Sequence, residues 1–244
     1  MRTITATRYV TPLREGGSMP ALVEADDDGL YVLKFRGAGQ GPRALVAELL
    51  GGELARALGL PVPEIVLCEL DERVGAAEPD PEIQGLLQAS AGLNVALDFL
   101  PGALAFTDPA TVDPALAADI VWLDSLVMNS DRTPRNPNLL QWHGSVWLID
   151  HGAAFYRHHR DDATPDAIAE QPFGLIADHV LLGRTGSLAD ADARLAPFVD
   201  EALLERLRAM VPVAWADPGP YIDFLRARCA TSARFAQEAE DARR

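Results

Sequence analysis

The stretch "NSDRTPRNPNLLQWHGSVWLID", residues 129–150, decides the fold of this 244-residue chain. Prolines and asparagines in its first part prevent a helix from continuing into it. The second part, "LLQW–HGS–VWLID", predicts a short hairpin with Gly144 at the turn. Such a hairpin would return Asp150 to the side of the loop that carries Asp131 and Asn136.

A loop aspartate, an asparagine five residues later and a second aspartate beyond a hairpin form the layout that protein-kinase-like phosphoryl transfer requires. Asp131 would orient the attacking hydroxyl and accept its proton. Asn136 and Asp150 would hold Mg²⁺, a hard cation that prefers oxygen ligands. Read alone, the loop is rich in turn formers, so its polar residues could equally cap a turn, and "LIDHG" could be only a strand end.

Lys34 is the only lysine among 21 basic residues. It lies in "LYVLKF", a predicted strand whose alternation places Tyr31, Leu33 and Phe35 on one face and Lys34 on the other. A lysine supplies a compact point charge on a flexible stem, which a guanidinium does not. An arginine-biased sequence could also keep one lysine by chance.

Glu48 follows Lys34 by 14 residues, inside the predicted helix "RALVAELLGGELARALG" that Gly59 and "LPVPE" end. A strand lysine followed by a helix glutamate matches the kinase ion pair that aligns the lysine with nucleotide phosphates. Lys34, Glu48, Asp131 with Asn136, and Asp150 therefore occur in kinase order. Their joint occurrence favours a kinase over chance.

The composition excludes several other classes of protein. A formal net charge of −15 argues against a nucleic-acid partner and against docking on anionic membranes. Cys68 and Cys229 lie far apart and predict neither a metal site nor a disulfide framework. No signal-like start and no apolar run of about 18 residues is present, so we expect a soluble, cytoplasmic protein.

The order of predicted elements indicates two parts. Strands and turns fill the first forty residues, "IVLCEL" and "LNVALDFL" add strands, and a connector rich in proline and small residues follows. The segment "DPALAADIVWLDSLVMN" predicts a helix capped by Asp113. Further helices are predicted near 175–183, 188–209 and 219–240. The prediction is an α+β protein with a β-rich N-lobe, residues 1–100, and a mostly helical C-lobe, residues 101–244.

The motifs "NSDRTPRNPNLL", "LIDHG" and "AELLGGELARALGLPVPE" resemble those of HipA-like kinases, a bacterial branch of the kinase superfold that is also similar to phosphatidylinositol kinases. The resemblance covers most of residues 10–180 and, more loosely, the C-terminal helices. It implies a bilobal protein-kinase-like fold that uses ATP and Mg²⁺ to phosphorylate a hydroxyl acceptor.

The same resemblance assigns roles to five side chains. Lys34 would bind the α and β phosphates of ATP, and Glu48 would brace the lysine. Asp131 would be the catalytic base, with Asn136 and Asp150 as magnesium ligands.

Two further segments would contact the nucleotide. "LDFLPG" would be the hinge, with the backbone near Phe99 and Leu100 meeting adenine. "REGGSMP" would be the phosphate loop, where Gly16, Gly17 and Ser18 approach the phosphates. We hypothesise that Ser18 contacts phosphate or is itself phosphorylated. A plain hairpin turn would explain these glycines equally well.

The chain departs from the family pattern in ways that leave its substrate open. Asn129 and Ser130 stand where HRD is usual, the third motif reads Asp-His-Gly, and the chain is shorter than a full HipA toxin. The acceptor could be a serine, a sugar or another metabolite, and aminoglycoside-type kinases share a similar layout. A nucleotide-binding pseudokinase with a regulatory role is the alternative, although all five key side chains are present. Arg132 and Arg135 would be surface residues or stabilise phosphate charge.

Overall fold

The structure is a computed structural model, and it describes residues 1–13, 19–39, 41–76, 78–159 and 164–244. Five strands in the first hundred residues form a closed barrel in the order β1-β2-β3-β5-β4. β1 and β4 pair in parallel, and the other neighbouring strands pair antiparallel. The strands are β1 Thr3–Pro12, β2 Ala21–Ala25, β3 Leu30–Lys34, β4 Ile65–Leu70 and β5 Gly92–Asp98.

The two faces of β3 differ as the sequence predicts. Tyr31, Leu33 and Phe35 are buried in a core with residues of β1, β2 and β4. Lys34 pairs in register with Val95 of β5, and Val95 belongs to a second, larger core. Because side chains alternate along a strand, Lys34 points away from the first core.

Helix α1, Pro42–Ala57, follows β3 and confirms the predicted helix. Pro42 occupies the first helical position, where its missing N–H costs nothing. Gly59 lies just beyond the helix with a φ of 81°, a conformation that favours glycine. The helix is part of the larger core and is buried at Glu48, Gly51 and Gly52.

A second helix, α2 Pro81–Ala89, lies between β4 and β5, where the sequence indicated only a polar turn before the next strand. Asp80 caps it by accepting a hydrogen bond from the Glu82 N–H. Ile83 and Leu87 are the buried residues of this helix and join the first core.

The predicted hairpin is confirmed and belongs to a three-stranded antiparallel sheet, β6 Leu104–Ala105, β7 Leu139–Trp142 and β8 Ser145–Leu148. His143 and Gly144 form its turn, both with positive φ. The Leu148 N–H donates to the Pro61 carbonyl, which ties the hairpin to the segment after α1.

Helix α3, Pro114–Leu126, precedes the loop that carries Asp131, and Asp113 caps it through the N–H groups of Ala115 and Leu116. The sequence indicates a buried stripe, but from Val121 to Leu126 every residue is buried. The helix is therefore enclosed within the larger core.

The remaining helices differ from the prediction, which had no helix at 165–169 and a single helix near 219–240. They are α4 Pro165–Ala169, α5 Leu188–Leu195, α6 Glu201–Met210, α7 Gly219–Cys229 and α8 Ser232–Ala242. The predicted helix at 188–209 is interrupted because Pro197 cannot continue it. The predicted helix at 175–183 is replaced by two 3₁₀ turns, Gly174–Asp178 and Leu182–Arg184. None of the helices described has the length and apolar character that crossing a membrane requires.

Candidate active site

Lys34 and Asp150 form an ion pair in which the lysine is buried and the aspartate side chain is 30% exposed. The Lys34 Nζ lies 2.9 Å from the Asp150 Oδ1, and Lys34 is only 9% exposed. Burial by itself would lower the pKa of Lys34, but the charges of Glu48 and Asp150 outweigh it and raise that pKa. Among the described residues, Lys34 has its ion pair with Asp150, whereas the sequence indicates Glu48 as its partner.

Glu48 projects from α1 into the same cluster. Burial raises the pKa of this carboxyl group to about 7, and the Lys34 charge opposes that shift. The N–H groups of His151 and Gly152 also favour its charged form. Its Oε1 is buried and has no hydrogen-bond partner among the residues that the structure describes, and the His151 Nδ1 lies 4.0 Å from it.

Asp150 directly follows the hairpin and has a φ of 55°. Aspartate tolerates this left-handed conformation better than most residues. Burial would raise the pKa of its carboxyl group, but Lys34 reverses that effect and lowers the pKa. Asp150 is therefore charged in the ligand-free protein.

The Asp131 carboxylate is held by two asparagines of its own loop. Asn136 Nδ2 donates to the Asp131 Oδ2 at 2.8 Å, and Asn138 Nδ2 lies 3.3 Å from the same oxygen. Asp131 also acts electrostatically on Lys34. The hairpin thus brings Asp131, Asn136 and Asp150 into one region with Lys34.

A buried network that the sequence did not predict lies beneath this loop. Asp124 of α3 accepts hydrogen bonds from Arg132 Nε at 2.5 Å and Asn129 Nδ2 at 3.0 Å, and pairs with His179 Nε2 at 2.9 Å. Burial by itself would raise the pKa of Asp124, but Arg132 and His179 hold it well below its usual range. The His179 Nδ1 accepts from the Leu181 N–H, so both ring nitrogens are paired.

Arg132 links the two loops of the site. Its Nη1 donates to the Asn138 carbonyl at 2.5 Å and lies 3.3 Å from the Ile149 carbonyl, next to Asp150. The expectation of a surface or phosphate-binding arginine is wrong for Arg132, which is 1% exposed, whereas Arg135 is exposed. The signal missed was Asp124, a carboxylate on the apolar helix before the loop.

The predicted hinge lies within the described residues, whereas most of the predicted phosphate loop does not. The Phe99 N–H donates to the Leu30 carbonyl, and the Leu100 carbonyl accepts from the Ala103 N–H. Phe99 is partly exposed and Leu100 is buried. Gly16, Gly17 and Ser18 lie outside the described residues.

The fold is that of protein-kinase-like enzymes. The Helicobacter pylori proinflammatory kinase CtkA matches with a TM-score of 0.56 and 14% identity, over 91% of this chain and 94% of that one. The Golgi casein kinase with Mn/ADP bound matches with a TM-score of 0.55 and 15% identity, over 99% of this chain and 74% of that one. Identities this low establish the fold alone.

The family model for HipA-like kinases matches residues 7–177. The chain therefore belongs to the HipA-like kinase family, as its motifs indicate, and a kinase-type transfer of phosphoryl groups is the activity of that class. The comparison with curated proteins found no match.

Proposed function

We propose that the protein is an ATP- and Mg²⁺-dependent kinase that transfers the γ-phosphoryl group to a hydroxyl acceptor. The observation that carries the proposal is the meeting of Lys34 and Glu48, both buried, with the partly exposed Asp150 beside the Asp131 loop. Buried charges are expensive, and charged clusters with shifted pKa values are common at functional sites, which supports the proposal.

Lys34 binds the α and β phosphates in this proposal. It is the only lysine of an acidic chain, and the strand register directs it away from the first core. Lys34 would contact the phosphate oxygens, while Asp150, its ion-pair partner, would contact the cation. Glu48, the remaining carboxylate of the cluster, then braces the lysine.

Asp131 is the general base in this proposal. Its Oδ2 accepts from two asparagine amides, which fixes the carboxylate without neutralising it. It can therefore accept the proton of an attacking hydroxyl. Arg132 keeps the loop in position, because it bonds both Asp124 on α3 and the Asn138 carbonyl in the loop.

Asn136 and Asp150 would hold the cation. A carboxylate and an amide oxygen are the hard ligands that Mg²⁺ prefers, and phosphate oxygens usually complete its shell. Within the described ranges, no three His, Cys, Asp or Glu side chains form a metal site by themselves. This fits a cation that arrives with a nucleotide and supplies charge neutralisation on the phosphates. The similar Golgi casein kinase structure, with Mn/ADP bound, supports the same pairing of metal and nucleotide.

We propose a bilobal arrangement with an N-lobe of residues 1–100 and a C-lobe of residues 101–244. The barrel ends with β5 at Asp98, and the long helices after it begin at Pro114. The hinge would lie between them, where the backbone near Phe99 and Leu100 would meet adenine. Gly16, Gly17 and Ser18 would cover the phosphates.

The first experiment is ATP calorimetry with and without Mg²⁺, together with ATP turnover. Wild type should bind ATP in a Mg²⁺-dependent way, and Asp150→Asn, which tolerates positive φ, should lose that dependence. Asp131→Asn should bind ATP normally but lose turnover by roughly 10²–10⁴-fold, the usual contribution of a general base.

Three outcomes separate the alternatives. Absence of ATP binding in wild type would contradict the nucleotide site. Binding without turnover or labelling would favour the pseudokinase. Full turnover by Asp131→Asn would assign the base to another residue.

A further inference from the structure

His151 is a buried histidine, and within the described residues neither of its ring nitrogens has a hydrogen-bond partner. It follows Asp150 directly, and its Nδ1 lies 4.0 Å from the Oε1 of Glu48. That oxygen likewise has no hydrogen-bond partner in the described part of the chain. Buried polar groups in native proteins are nearly always hydrogen-bonded, so two neighbouring exceptions call for an explanation.

The chemistry of the two groups is complementary. A neutral imidazole carries one N–H donor, and a carboxylate is an acceptor. The 4.0 Å separation exceeds a hydrogen bond by about 1 Å, a gap that a small side-chain rotation can close. With its proton on Nδ1, the imidazole faces the Glu48 oxygen as a donor just beyond hydrogen-bond distance.

Helix α1 makes room for the ring. A Cβ at Gly51 would lie 3.0 Å from the His151 Cβ, and one at Gly52 would lie 3.5 Å from its Nδ1 and 2.3 Å from the Ile65 Cδ1. Glycine weakens a helix interior relative to alanine. The adjacent glycines thus let the imidazole approach the helix one turn after Glu48.

We propose that His151 is a positioning residue for Glu48 and that its Nδ1–H bonds Glu48 Oε1 in the nucleotide-bound enzyme. This inference rests on the proposed function. Lys34 is paired with Asp150. If Asp150 holds the cation and Lys34 the phosphates, as proposed above, Glu48 would be the carboxylate partner of the lysine. A Cβ at Gly152 would lie 3.5 Å from the Glu48 Oε2, and a hydrogen bond from His151 would fix the other oxygen.

The test combines ATP–Mg²⁺ calorimetry with thermal unfolding of the ligand-free protein. His151→Leu removes the donor and should weaken ATP–Mg²⁺ binding by about tenfold or more, the usual effect of losing a hydrogen bond to a charged group. It should leave the ligand-free Tm unchanged or raised, because the lost nitrogens had no partner.

His151→Asn and His151→Gln form the matched control pair. The asparagine amide nitrogen reaches the position of Nδ1, whereas the glutamine amide reaches that of Nε2. His151→Asn should therefore keep most of the affinity and His151→Gln should lose it. If the leucine variant does not fold, the comparison of the asparagine and glutamine variants still tests whether the His151 Nδ1 positions Glu48.

Distinct results would overturn the inference. Wild-type affinity in His151→Leu, or equal affinities for the asparagine and glutamine variants, would show that the ring does not position Glu48. A lower ligand-free Tm with unchanged affinity in all variants would show a packing role only. Absence of ATP binding in wild type would instead remove the proposed function together with this inference.

Discussion

Two buried histidines near the candidate site differ in every hydrogen bond. Both ring nitrogens of His179 are paired, one with Asp124 and one with the Leu181 N–H. Within the ranges that the structure describes, neither ring nitrogen of His151 has a hydrogen-bond partner, and the facing oxygen of Glu48 has none either. The difference separates a network that is complete without a ligand from a cluster that is not.

The complete network joins α3 to the Asp131 loop, and the incomplete one adjoins Lys34 and Asp150. A fully paired buried network makes its surroundings rigid, whereas unpaired buried groups are costly unless a ligand state uses them. We therefore expect the His179 network to support the fold and, under the proposed function, the His151 cluster to respond to nucleotide. Stability measurements should therefore separate the two sides.

The largest expected effect comes from breaking the complete network. Asp124→Asn keeps the shape of the side chain but leaves the buried Arg132 charge without its counterion. Removing one partner of a buried pair typically costs about 3–5 kcal/mol of the free energy of unfolding. Denaturant unfolding of the purified variant measures this loss.

Asp119→Asn is the matched control on the same helix. Asp119 pairs with Arg194, whose side chain is 47% exposed, so the change should cost at most about 1 kcal/mol. Equal losses in the two variants would contradict the contrast between a buried network and a surface pair.

Local sequence patterns predicted much of the fold. The alternation around Lys34, the cap at Asp113 and the hairpin turn at Gly144 depend on neighbouring residues, and all three are confirmed. Helix α2 was missed because "PEIQGLLQA" is short and follows a run of turn formers. The C-terminal helices are interrupted where the prediction has continuous helices, because the spacing of apolar residues remains helical across the interruptions.

The candidate site was predicted less completely than the fold. Lys34, Glu48, Asp131 and Asp150 were chosen because family motifs fix their spacing, and their roles remain predictions. Arg132 was misread because a charged residue in a polar loop is normally exposed. Its partner lies on α3, and the tertiary contact that joins them leaves no periodic signal in the sequence.

The second-largest expected effect is a pH-dependent change in the free energy of unfolding that arises from Glu48. Burial raises its pKa to about 7 from 4.5, so the folded protein holds a proton that the unfolded chain releases between those values. The protonated Glu48 therefore contributes its full stabilisation below pH 4.5, the pKa in the unfolded chain, and this stabilisation is lost as the pH rises through about 7, the pKa in the folded protein. Relative to Glu48→Gln, wild type should lose at most about 3 kcal/mol between about pH 5 and pH 8, since one pKa unit is about 1.4 kcal/mol.

Denaturant unfolding of both proteins at several pH values measures this difference. If the difference in unfolding free energy between wild type and Glu48→Gln stays constant across the pH range, Glu48 is charged in the folded protein throughout. The charges around Glu48 would then stabilise its carboxylate more than its contacts indicate. The expected result is that the stability of wild type relative to Glu48→Gln increases as the pH falls from 8 toward 5.

The smallest effect compares two helical glycines. Gly85 in α2 is exposed and an added Cβ would meet nothing within 4 Å, so Gly85→Ala should stabilise the protein by about 0.5–1 kcal/mol. At Gly51 the added Cβ would press on the His151 Cβ, and crowding of a packed core typically costs about 1–3 kcal/mol. Gly51→Ala should therefore be neutral or destabilising in thermal unfolding. If both alanines stabilise the fold equally, His151 can move away from α1, and the close approach is not what keeps its nitrogens unpaired.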